Sequence, residues 1–88
     1  LIVNRNTLFI ATRKKMLRDF VLPEPYRLVI DIEGARDNQS QKTKLNKKYF
    51  SGAEISTHEG FYRISLDLDG RYKYTISPQS DGFIVTLE

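Results

Sequence analysis

Arg27 and Asp31 stand four residues apart, and Arg63 and Asp67 repeat that spacing thirty-six positions later. In an extended chain, residues two and four apart share a face. Each pair would therefore present a guanidinium and a carboxylate side by side. Such a pair can recognise a ligand, because Arg donates charge-assisted hydrogen bonds to a carboxylate while Asp accepts from a hydroxyl or amide. It can equally be ordinary charge on the solvent side of a strand, with Arg pairing loosely with Asp across strands for ~0–1 kcal/mol. Spacing alone leaves both readings open.

Other chemistry finds little support. Asp31 with Glu33, and Asp67 with Asp69, are paired carboxylates, but they alternate along strands beside Arg, which favours structural use over glycoside hydrolysis. His58 is the single histidine and lies in a polar turn with Glu59 and Gly60. With no Cys in the chain, a zinc site would need three carboxylates around one imidazole. No Ser carries a local nucleophile signature, and the five Gly are scattered as turn formers rather than gathered in a phosphate loop. The expectation is a noncatalytic chain without metal or cofactor.

The elements that position the four charged residues come from a nine-residue segment written twice, YRLVIDIEG at Tyr26 to Gly34 and YRISLDLDG at Tyr62 to Gly70. Aligned column by column, only Val29 against Ser65 changes chemical type. Period-two alternation puts Leu28, Ile30 and Ile32 on one face and Arg27, Val29, Asp31 and Glu33 on the other. The second copy has the same phase, with Ile64, Leu66 and Leu68 against Arg63, Ser65, Asp67 and Asp69.

The rest of the chain reads as short strands punctuated by turns. Leu1 to Thr12 is a hairpin or bent strand broken at Asn4-Arg5-Asn6. A strand from Arg18 is preferred to a helix over Lys14 to Leu22, because Pro23 and Pro25 follow at once. Residues 35–48 hold one large aliphatic, Leu45, and are expected to form a mobile polar loop. Tyr49, Phe50, Ala53 and Ile55 resume the apolar pattern. A three-residue loop of Leu68, Asp69 and Gly70, with Gly70 left-handed, would set Leu66 opposite Tyr72 and Ile64 opposite Tyr74. Tyr72, Tyr74 and Ile76 would then face Leu87, Val85 and Phe83 across the loop SPQSDG. The expected core is Ile30, Ile64, Leu66, Tyr74, Phe83 and Val85. The architecture expected is all-β, a small antiparallel sandwich or open barrel, with the two copies suggesting pseudo-twofold packing of similar sheets.

At 88 residues the chain is long enough for one domain, 1–88, with a modest core. It opens on Leu1 directly into an apolar run, which reads as a piece of a longer protein. No apolar stretch approaches the ~20 residues that cross a bilayer, so membrane insertion is not expected. The net charge of +3 is unevenly spread: residues 13–18 and residues 36–48 carry +4 each, and the remainder is acidic. Such runs are solvated loops or attract polyanions.

The segment FVLPEPYRLVIDIEG, Phe20 to Gly34, resembles the signature of the AMIN domain: an apolar strand, a Pro corner, then Arg and Asp alternating with aliphatics. Gly60 to Leu68, Tyr72 to Ile76, Asp81-Gly82 and Phe83 to Leu87 are similar to that family's second half. The resemblance covers about two thirds of the chain; residues 35–48 depart from the family's shorter, more apolar connection. It implies a noncatalytic module of the bacterial envelope, found ahead of N-acetylmuramoyl-L-alanine amidase domains and in pilus secretins. Such a module binds peptidoglycan in the periplasm and localises its host on the wall, often at the division site. It also implies a sandwich of two similar sheets with signature motifs on the outer faces, here Arg27, Val29 and Asp31 with Arg63, Ser65 and Asp67. Arg27, Asp31, Arg63 and Asp67 become the candidate ligand-binding residues. Lys42, Lys44, Lys47 and Lys48 could add nonspecific attraction.

Two other classes compete. A module docking envelope or divisome proteins through a sheet edge would need no ligand face. A nucleic-acid-binding barrel would use basic loops and strand aromatics. Against the last, the outer faces carry Asp and Glu while the tyrosines phase inward, so nucleic acid is not expected as a partner.

Overall fold

The computed structural model describes residues 1–34 and 41–88. Its strands are β1 (Ile2–Asn4), β2 (Thr7–Ala11), β3 (Met16–Leu22), β4 (Arg27–Glu33), β5 (Gln41–Lys44), β6 (Phe50–His58), β7 (Phe61–Leu68), β8 (Tyr74–Gln79) and β9 (Gly82–Leu87). They form two antiparallel sheets, a four-stranded one in the order β1-β2-β9-β8 and a five-stranded one in the order β3-β4-β7-β6-β5. No helix among the described residues is long and apolar enough to cross a membrane.

The all-β, two-sheet architecture follows from the alternation. Leu28, Ile30 and Ile32 of β4, and Ile64, Leu66 and Leu68 of β7, turn their aliphatic faces inward against Leu8, Ile10, Val85 and Leu87 of the four-stranded sheet. Phe50 and Ala53 of β6 complete this interior. The Asn4-Arg5-Asn6 break is a tight β1–β2 hairpin pairing Asn4 with Thr7. The strand preferred from Arg18 begins slightly earlier, at Met16, with a register irregularity between Met16 and Arg18. The Pro-Glu-Pro corner turns it into β4, so that Leu22 faces Arg27.

Several expectations are corrected. β7 does not form a hairpin with the following strand: it pairs with β4 and β6, and β8 belongs to the other sheet. Residues 69–73 are therefore a crossover between sheets, and Gly70 is not left-handed; Gly34 and Gly60 are the glycines with positive φ. Alternation sets which side chains point inward but not which strand lies alongside, and β4 offers β7 a partner matched along its whole length. In the β8–β9 hairpin the expected pairs are displaced by two residues, Tyr74 facing Leu87, Ile76 facing Val85 and Pro78 facing Phe83. An even shift keeps every side chain on its face, and Pro78 is tolerated because β8 is an edge strand.

Of the expected core, Ile30, Ile64, Leu66 and Val85 are buried, whereas Tyr74 and Phe83 are half-buried. Tyr74 lies on the edge strand and sends its hydroxyl to Asp19 Oδ2 of the opposite sheet at 2.6 Å. Burial, then Asp19, pushes its pKa up to about 12. The polar run expected as a loop over 35–48 contains an edge strand, β5, whose Thr43 pairs with Ala53. Its side chains are exposed, so backbone pairing alone suffices and no apolar pattern announces it. Leu45 then packs against the core. The portion at 35–40 lies outside the described residues.

One close approach makes a testable point. A Cβ on Gly82 would sit 2.0 Å from the carbonyl oxygen of Ile10 and 2.9 Å from Phe9 Cζ. Because the first obstacle is backbone, β2 and β9 would have to separate. Gly82→Ala is expected to cost ~1–3 kcal/mol, visible as a lower midpoint in urea; an unchanged midpoint would show that the two strands yield easily.

Candidate functional site

The two copies of the repeated segment are neighbours in one sheet. Arg27 faces Asp67, Val29 faces Ser65 and Asp31 faces Arg63, so an approximate twofold axis passes between Val29 and Ser65. Each Arg of one copy thus meets the Asp of the other. The repeat is a property of the β4–β7 pair, and all four candidate residues share the outer face of the five-stranded sheet. Strand pairing extends this face in rows. Lys44, Gly52, Asp67, Arg27 and Leu22 form one; Lys42, Glu54, Ser65, Val29 and Phe20 the next; Ser56, Arg63, Asp31 and Arg18 the third.

The end at Asp31 is closed. Asp31, expected at the solvent side, is fully buried. Arg63 donates from Nε to Asp31 Oδ1 at 2.8 Å and from Nη2 to Oδ2 at 3.1 Å. Arg18 donates from Nη1 to Oδ2. The Arg63 guanidinium lies 5.4 Å from the Phe20 ring centre, and that of Arg18 lies 5.1 Å from Phe61. The hydrogen bonds from Arg63 outweigh burial and, with those from Arg18, hold the Asp31 carboxyl below its ordinary range; Arg63 is raised in turn. The loose surface pairing considered for these charges is here a clamp on a buried carboxylate, its two guanidinium groups remaining partly exposed. Sequence reasoning missed Arg18 as a member; its alternation with Phe20 and Leu22 on one face of β3 was the available signal.

The end at Asp67 is open. Although Arg27 and Asp67 are cross-strand partners, no ion pair within 4.0 Å among the described residues joins them. Arg27 Nε is buried with no hydrogen-bond partner among the described residues. The flanks explain the difference. Leu22 and Gly52 occupy the flanking positions that Arg18 and Ser56 take at the other end. At Gly52 an added Cβ would lie 3.0 Å from Asp67 Oδ2, so glycine leaves that carboxylate its room. The result is a cleft of about 340 Å³ lined by Arg27, Lys42, Glu54, Ser65 and Asp67, with Ser51 at its side.

The remaining singled-out residues fall elsewhere. Lys44 is on β5 in the row of Asp67. Lys47 and Lys48 are exposed on the connection to β6, Lys48 Nζ lying 5.4 Å from the Tyr49 ring centre. Asp69 accepts from the Tyr49 N–H at 2.9 Å and from the Tyr72 hydroxyl, which pushes Tyr72 up to about 12. His58 is exposed and stacks on Phe61.

A family model described as the AMIN domain matches residues 3–87. No curated protein and no solved structure matches the chain.

Proposed function

The chain belongs to the AMIN family, whose members are noncatalytic peptidoglycan-binding and localisation modules of amidases and secretins, and from that membership we propose that it holds its host protein on the peptidoglycan of the bacterial periplasm through the outer face of the β4–β7 pair. The observation that carries this reading is the open cleft at Arg27 and Asp67, where a guanidinium and a carboxylate face each other across two strands and neither forms an ion pair among the described residues. Burial closes the Arg27 Nε to the cleft, so a ligand carboxylate would be held by the terminal Nη groups of Arg27. Asp31 and Arg63, already satisfied by each other, contribute by holding the sheet rather than by contact. Binding of this kind is weak per site and is strengthened by repetition along a polymer.

Co-sedimentation with purified sacculi tests it. Arg27→Ala with Asp67→Ala is expected to lower the bound fraction severalfold while the circular dichroism stays that of the parent. A folded double variant that sediments like the parent would remove this face from consideration.

A second reading, docking of an envelope protein along a sheet edge, is favoured by β1. This edge strand leaves Ile2 66% exposed, beside Leu1 at 44%. On that reading Ile2→Lys abolishes capture of a purified envelope partner and leaves sedimentation with sacculi intact.

A further inference from the structure

We infer that the cleft at the open end of the repeat recognises a peptide residue carrying both a free carboxylate and a free ammonium group, so that the contacts are to the peptide part of the wall polymer rather than to its glycan. This rests on the wall-binding reading above and goes beyond it in naming the group bound.

Four charged side chains line the cleft, Arg27 and Lys42 against Glu54 and Asp67. Strand register brings opposite charges side by side, Lys42 facing Glu54 and Arg27 facing Asp67. Yet no ion pair within 4.0 Å among the described residues joins any of them, every such pair being made by Asp31. Lys42 and Glu54 are exposed to solvent, and with no ion pair among the four, two donor groups and two acceptor groups are free to meet a ligand. Their sum is zero, and that excludes a polyanion as the preferred occupant, since Glu54 and Asp67 would repel it. An uncharged sugar would offer hydrogen bonds to the four but no opposite charge to any of them. A dipolar group satisfies both signs at once: its carboxylate lies on Arg27, where the planar fork suits bidentate binding, and its ammonium lies between Asp67 and Glu54. Ser65 on the lining supplies a hydroxyl for an amide group of the peptide backbone, whereas the Ser51 hydroxyl already donates to the Asp67 carbonyl. The volume, about 340 Å³, is at the small end of ligand clefts and suits one such residue with its neighbours extending into solvent.

The closed end shows what the open end lacks. There the equivalent Asp already has its cation, Arg63, and a second in Arg18. The twofold repeat has thus diverged into one half that holds the sheet and one half left to bind.

The test uses three forms of sacculi with the parent chain: untreated, N-acetylated with acetic anhydride to cap free amines, and stripped of peptides to leave glycan. Binding to untreated sacculi is expected to fall about tenfold on N-acetylation, the loss of charge-assisted bonds to the ammonium, and to vanish on bare glycan. N-acetylation makes the sacculus more anionic, so nonspecific attraction to a chain of net charge +3 would rise instead. Glu54→Gln with Asp67→Asn should bind untreated sacculi as weakly as the parent binds acetylated ones, and should not distinguish the two. Equal binding of the parent to all three forms would overturn the dipolar ligand while leaving wall binding intact. No binding to any form would overturn both.

Discussion

Arg63→Ala is expected to destabilise the fold by ~3 kcal/mol at neutral pH, although it removes a side chain that is itself one-third exposed. The reason lies in what it leaves behind. Asp31 is fully buried and takes two hydrogen bonds from Arg63. Breaking a buried pair by removing one partner typically costs ~3–5 kcal/mol, because the remaining charge is uncompensated. Arg18 stays in place on Oδ2, which puts the figure at the low end. The pH dependence gives the signature. In the parent, Asp31 is held below the ordinary carboxylate range, chiefly by Arg63. A carboxyl whose folded pKa is depressed contributes stability that is present above its unfolded value, ~3.9, and is lost as pH falls through the folded value. The variant has lost most of that depression. The gap between parent and variant should therefore be widest at pH 7 and narrow as pH falls below about 4, read from urea midpoints at a series of pH values. A gap that is constant with pH would mean that Arg63 acts through its packing on Phe20 and Phe61. A parent-like midpoint at pH 7 would mean that the clamp is dispensable.

Leu66→Ala is expected to cost ~2–5 kcal/mol, with the urea m-value unchanged. Leu66 is fully buried on β7, the central strand of its sheet, with Leu28 on one side and Ala53 on the other. Both neighbours are fixed by long strand ladders, and Ala53 is too short to fill the space, so little of the cavity can collapse. Ser65→Ala one position away removes only a hydroxyl from the opposite, outer face and should change stability by less than about 1 kcal/mol. Phe83→Ala, although it deletes a larger side chain, starts from a half-buried position and should cost less than its size suggests. If Leu66→Ala and Ser65→Ala have equal effects, the inward and outward faces of β7 have been assigned the wrong way round.

The two arginines of the repeat differ in what their substitution reports. Arg27 and Arg63 occupy equivalent places in the repeat, and from spacing they are interchangeable. In the folded chain one lines an open cleft and the other neutralises a buried acid. A binding defect in Arg63→Ala would therefore report on folding, and the informative substitutions are at Arg27, Asp67, Glu54 and Lys42.

What the amino-acid order determined by itself was local. Alternation along Arg27–Glu33 and Phe61–Leu68 settled which side chains face inward, and the burial of Ile30, Ile64 and Leu66 follows from it. The Pro corner and the turn at Gly60 were legible because Pro and Gly restrict or widen backbone choice at single positions, whereas the turn expected at Gly70 depended on which strand β7 would pair with. The AMIN signature was legible for the same reason, being a pattern of types within one strand and its corner. Everything that depended on a partner strand was decided by tertiary structure. Leu66 could face Tyr72 or Leu28 with the same inward phase, and only the competition among all strands chose β4. The edge strand β5 carries no apolar pattern because its backbone hydrogen bonds, rather than its side chains, hold it. The fate of the twice-written Arg and Asp was settled in the same way. Two chemically equal pairs became a closed clamp and an open cleft because Arg18 and Ser56 flank one while Leu22 and Gly52 flank the other. Side-chain phase is encoded within a strand, but burial, ion pairing and access depend on what lies beside it, and that is settled only when distant segments meet.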